Sequence, residues 1–130
     1  MAGESILIVD DTPMNLKLTS VLLSGDGYQV HTACDAEHAL ELLKELRPHL
    51  ILMDVQMPGM DGLELTRVLK RNPDTRAIPV VALTAYVMRG DEERTREAGC
   101  DGYITKPIDT RTFGTTVCAY LTRSSVAAVN

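Results

Sequence analysis

Two runs of this chain, Ile6-Leu7-Ile8-Val9 and Leu50-Ile51-Leu52-Met53, are apolar at every position. Side chains of a strand point alternately to opposite faces, so a run with no polar member needs cover on both sides. A parallel sheet with helices packed on each face provides that cover, which restricts the chain to an α/β architecture. The rest of the sequence keeps the same alternation. Residues 5–9, 28–32, 50–53, 78–83 and 102–105 read as strands, and a helical pattern follows each. Thr12 is placed as an N-cap with Pro13 at the first helical position, and Met14, Leu18, Val21 and Leu22 follow on one face. Asp35 caps the second helix, whose buried face would be Ala39, Leu40, Leu43 and Leu46 before Arg47-Pro48 stops it. Leu65, Val68 and Leu69 mark the third helix, and Phe113, Val117, Tyr120 and Leu121 the fifth. The fourth, at residues 89–97, has no large apolar side chain, which predicts an element held weakly by tertiary packing.

Five β-α units joined by right-handed crossovers give a doubly wound (βα)5 three-layer sandwich. The 130 residues suit one domain, with a core over about 5–123 and a short flexible tail at 124–130. The formal net charge of −5 argues against nucleic acid as a direct partner. The apolar runs are too short to cross a bilayer and no charged-then-apolar leader opens the chain, so no membrane partner and a cytoplasmic location are expected. Cys34, Cys100 and Cys118 show no metal-ligand spacing and read as small buried or half-buried thiols; His31, His38 and His49 read as ordinary side chains.

Four strands deliver a polar group at their carboxyl ends: Asp10-Asp11, Asp54, Thr84 and Lys106. In an open parallel sheet that edge is where ligand sites form. Asp10, Asp11 and Asp54, on adjacent strands, would crowd negative charge and call for a cation. Mg²⁺ suits them, because it takes one or two carboxylates and keeps waters that a phosphate oxygen can replace. Lys106, before Pro107, is placed to bring a point positive charge to a phosphoryl group. Thr84 reads equally as a cap or a ligand contact, and Tyr86 and Tyr103 by themselves as packing residues.

Val-Asp-Asp at 9–11, Leu-Met-Asp-Val-Gln-Met-Pro-Gly-Met-Asp-Gly at 52–62, Ala-Leu-Thr-Ala at 82–85 and Tyr-Ile-Thr-Lys-Pro-Ile at 103–108 together carry a family resemblance. From about residue 5 to 121 the chain resembles the receiver, or phosphoacceptor, domain of two-component response regulators. The resemblance implies a flavodoxin-like fold with strand order 2-1-3-4-5. It implies that Asp54 accepts a phosphoryl group from a histidine kinase or histidine phosphotransferase. Asp11 and Asp54 would bind Mg²⁺ directly with the backbone carbonyl of Gln56, and Asp10 largely through a water. Lys106 would pair with the phosphoryl oxygens, Thr84 would move to hydrogen-bond one of them, and Tyr103 would turn inward as the aromatic switch. The Lys106–Pro107 peptide would be cis, and Gln56 and Tyr86 would tune the lifetime of the phosphorylated state.

The function expected on these grounds is a phosphorelay switch acting on a downstream protein, not an enzyme beyond slow self-dephosphorylation. A stand-alone regulator and a receiver excised from a hybrid kinase or longer regulator both fit. Oligomeric state is open; a homodimer would pair through the fourth and fifth helices. An aspartate-nucleophile phosphatase is disfavoured because Gln56, two residues after Asp54, cannot serve as a general acid. A flavin-binding module is disfavoured because Asp10-Asp11 would repel a phosphate after the first strand.

Overall fold

Strand and helix alternate from Ser5 onward in a computed structural model that describes residues 3–57, 59–84 and 91–129. The order is β1 (Ser5–Val9), α1 (Pro13–Gly25), β2 (Gln29–Ala33), α2 (Ala36–Leu42), β3 (Leu50–Asp54), α3 (Gly62–Arg71), β4 (Val80–Thr84), α4 (Asp91–Ala98), β5 (Gly102–Thr105) and α5 (Phe113–Val129). The strands form one parallel sheet in the order β2-β1-β3-β4-β5, the flavodoxin-like arrangement.

The apolar runs at 6–9 and 50–53 are fully covered, as their composition demands. Leu7, Val9, Ile51, Met53, Val80 and Ala82 face a core shared with Ala36 and Ala39 of α2, Leu63, Leu65 and Leu69 of α3, and Ala98 of α4. Ile6, Ile8, Leu50, Leu52, Val81 and Leu83 face the opposite core, with Leu23 of α1 and Phe113, Val117 and Leu121 of α5. Each Val, Leu, Ile, Met or Phe side chain among them contributes roughly 1.5–3 kcal/mol by leaving water, and each alanine less.

Several helices depart from their expected form. In α1 the buried residues are Thr19 and Leu23. Met14 is 81% exposed and Val21 62%, with Leu18 also exposed, so the face expected to pack inward turns mostly to solvent. Thr12 stands at the N-cap, but its side chain makes no capping bond. In α2, Asp35 caps as expected by accepting the His38 N–H, but the helix ends at Leu42, and Leu40 and Leu46 are only half-buried. In α3, Val68 lies at the surface. In α4, Thr95 and Ala98 are buried while Glu93, Arg94, Arg96 and Glu97 are exposed, which matches its polar sequence. Residues 124–129, expected as a tail, continue α5. Cys34 is exposed, against expectation, while Cys100 is buried, Cys118 half-buried and all three are free. No described helix is long and apolar enough to cross a membrane.

Candidate functional site

Strand register brings the polar residues to one edge. Val9 pairs with Met53, Met53 with Ala82, and Ala82 with Tyr103. The next positions along the chains are Asp10, Asp54, Leu83 and Ile104, with Asp54 paired to Leu83. One step further, Thr84 pairs with Thr105, and Lys106 follows.

Asp10 leaves β1 with its N–H donated to the Ala33 carbonyl at 3.1 Å, and its Oδ1 accepts the Thr12 N–H at 2.9 Å. One carboxylate oxygen thus fixes the turn into α1, work that the sequence assigns to the Thr12 side chain. The other faces the pocket, where Oδ2 lies 3.4 Å from Lys106 Nζ. Asp54 ends β3, its Oδ1 accepting the Gln56 N–H at 3.1 Å and lying 3.2 Å from the same Lys106 nitrogen. Lys106 is held by its backbone, whose N–H donates to the Thr84 carbonyl at 2.7 Å, and the Lys106–Pro107 peptide is cis.

Asp10, Asp11 and Asp54 each offer a carboxylate oxygen within 4.8 Å of the other two, with Asp10 and Asp54 buried and Asp11 exposed. Burial, and then the Asp10 charge, push the Asp54 carboxyl up to about 6 from 3.8, against the pull of the Gln56 N–H and Lys106. Among the described residues, Lys106 is the ammonium that meets this cluster of three carboxylates, through Asp10 and Asp54, and the pocket carries excess negative charge in a poorly solvated place. Hard oxygen donors with one exposed member fit an oxygen-seeking divalent cation that retains water.

Thr84 is half-buried at the end of β4. Tyr103 is half-buried and packs on the core beneath α3 and α4. The Gln56 side chain is exposed beside Asp54. Tyr86, named above with Gln56, lies outside the described residues. Sequence reasoning missed Gly62. The Gly62 N–H donates to the Val55 carbonyl at 3.2 Å, folding the loop back onto the end of β3, and a Cβ at Gly62 would overlap the Asp54 carbonyl oxygen. The Asp61-Gly62 pair, where a loop meets a helix start, is the available sequence signal for such a close approach.

A flavodoxin-like sheet with an acidic pocket and a lysine at its carboxyl edge defines a class of signalling domain. The chain belongs to the response regulator receiver domain family, whose model matches residues 6–117. Polar-differentiation response regulator DivK of Brucella anthropi is 46% identical over 118 residues, 91% of this chain and 96% of that protein. The receiver domain of sensor histidine kinase PA1611 from Pseudomonas aeruginosa, solved with a magnesium ion coordinated in its active site cleft, is 33% identical. Its TM-score is 0.81, covering 94% of this chain and 97% of that one. Chemotaxis protein CheY4 of Vibrio cholerae is 28% identical with a TM-score of 0.86, covering 91% and 98%.

Proposed function

We propose that the chain is a phosphorelay switch in which Asp54 accepts a phosphoryl group from a phosphohistidine of a kinase or phosphotransfer protein. The observation that carries this reading is the convergence of Lys106 Nζ on Asp54 Oδ1 at 3.2 Å and on Asp10 Oδ2 at 3.4 Å, with Asp11 beside them. Phosphoryl transfer asks a protein chiefly to position groups and offset charge. The Asp54 carboxylate is the nucleophile: its oxygen bonds to phosphorus as the bond from phosphorus to the donor histidine nitrogen breaks. Lys106 then moves its ammonium from the free carboxylate to the phosphoryl oxygens. Asp10, Asp11, Asp54 and the backbone carbonyl of Gln56 would hold Mg²⁺, in keeping with the magnesium in the PA1611 receiver cleft. When bound, Mg²⁺ supplies charge neutralisation for the attacking carboxylate and the transferred group.

The product adds about 1.5–2 negative charges and three acceptor oxygens at Asp54. Thr84 reaches one of those oxygens by moving, Tyr103 turns inward, and α4, which buries only Thr95 and Ala98 among its described side chains, shifts. Gln56 and Tyr86 set the lifetime of the acyl phosphate. The similarity to DivK, itself a response regulator, supports a regulator that signals through a protein target. The test is incubation with acetyl phosphate, with and without Mg²⁺, followed by intact-mass measurement. Wild type gains one phosphoryl group only with Mg²⁺, Asp54→Asn gains none, and Lys106→Ala is slowed at least tenfold. Equal modification of Asp54→Asn would overturn the assignment.

A further inference from the structure

β5 is an edge strand, so backbone groups on its outer side have no neighbouring strand to pair with. At Tyr103 a partner comes from α5, where the Tyr120 hydroxyl donates to the Tyr103 carbonyl at 3.4 Å. The Tyr120 ring fills the space over Gly102, where a Cβ would collide with its ring atoms and hydroxyl. Both tyrosines also line one open cavity of about 340 Å³, together with Thr95 and Arg96 of α4. Tyr103 packs on the core beneath α3 and α4, whereas Tyr120 packs on the core beneath α1 and α5. The pair therefore links the two helical layers around the open edge of the sheet.

From this geometry we propose that Tyr120 is a positioning residue that couples the Tyr103 ring to α5. The proposal rests on the reading above in which Tyr103 turns inward when Asp54 is phosphorylated. That turn withdraws ring volume from the cavity the two tyrosines share, and it perturbs the strand whose carbonyl the Tyr120 hydroxyl holds. Because the Tyr120 ring lines the same cavity and its hydroxyl is bonded to the Tyr103 carbonyl, a move of the Tyr103 ring changes what Tyr120 packs against. Tyr120 can follow because glycine beneath it presents only backbone, and α5 moves with its tyrosine. Phosphorylation is thereby reported on α5 as well as on α4.

The test uses amide NMR of the full chain, with beryllofluoride and Mg²⁺ in place of the phosphoryl group. In wild type, beryllofluoride shifts the pocket amides of Val55, Gln56 and Lys106 and also those of Val117 and Leu121 in α5. Tyr120→Phe, which keeps the ring but removes the donor, reduces the α5 shifts at least twofold, and Tyr120→Leu abolishes them. Both variants keep the wild-type pocket shifts, an outcome that a purely structural role for Tyr120 would not produce. Equal α5 shifts in all three proteins, or none in wild type while the pocket responds, would overturn the coupling alone. No response of the pocket amides in wild type would overturn the switch and the coupling together.

Discussion

At Asp54 the fold holds a buried carboxyl at a local cost. Its carboxylate and that of Asp10 are each almost completely buried, and Lys106 is the ammonium between them. Because the fold raises the Asp54 pKa from 3.8 to about 6, the unfolded chain releases this proton first as pH rises. Between those values the unfolded state binds fewer protons, so stability present below pH 3.8 is lost as pH climbs through about 6. Asn cannot ionise and escapes that loss. Asp54→Asn is therefore expected to stabilise the metal-free protein at pH 7 by roughly 1–3 kcal/mol and to flatten its stability between pH 4 and 7. Urea denaturation across that range checks both; a less stable variant at pH 7 would show that the carboxylate is not under strain there.

At the scale of elements, α1 and α3 carry the lessons. Val21 on α1 is exposed and Leu23 is fully buried. Val21→Gln should change stability by no more than about 0.5 kcal/mol, and Leu23→Ala should cost about 2–5 kcal/mol, measured by thermal or urea unfolding. Gly62 begins α3 against the backbone of Asp54. Gly62→Ala should cost about 1–3 kcal/mol and also lower the rate of phosphoryl uptake from acetyl phosphate, because relief of the overlap must displace the end of β3. A loss of stability without a loss of uptake would separate Gly62 from the site. The strands were legible because two of them are apolar throughout, a pattern that few other environments allow. The inward face of α1 was not legible, because one of its buried residues is polar. Thr19 is covered with its hydroxyl donated to the Asn15 carbonyl at 2.7 Å, so it satisfies itself within the helix and escapes a search for apolar spacing. Thr66 does the same with Gly62 in α3. The departures at α1 are thus choices of packing partner, which spacing along one helix does not encode.

At the scale of the whole molecule, β1, β3 and the segment after β5 each supply one part of the pocket, and none of them forms it alone. The convergence of Asp10, Asp54 and Lys106 was legible, because Asp10 and Asp54 directly follow apolar runs, Lys106 follows the short strand at 102–105, and parallel strands share one carboxyl edge. The backbone contacts that set the pocket, from Gly62 and from Thr12 to Asp10, were not, since they depend on how loops fold back. A cation that binds this pocket binds only the folded chain, so Mg²⁺ should raise the unfolding midpoint. The expected gain is about 2.7 kcal/mol at a hundredfold excess over the dissociation constant. Asp11→Ala should remove most of it, and an equal gain in that variant would place the ion elsewhere.

The central claim is that one buried aspartate at this edge becomes an acyl phosphate. Borohydride reduces an aspartyl phosphate to homoserine, and peptide mass spectrometry then locates the altered residue. After treatment with acetyl phosphate and Mg²⁺, homoserine is expected at position 54 and nowhere else, and it should be absent when Mg²⁺ is withheld. Homoserine at another acidic residue, or none at all from a protein that has bound Mg²⁺, would contradict the account.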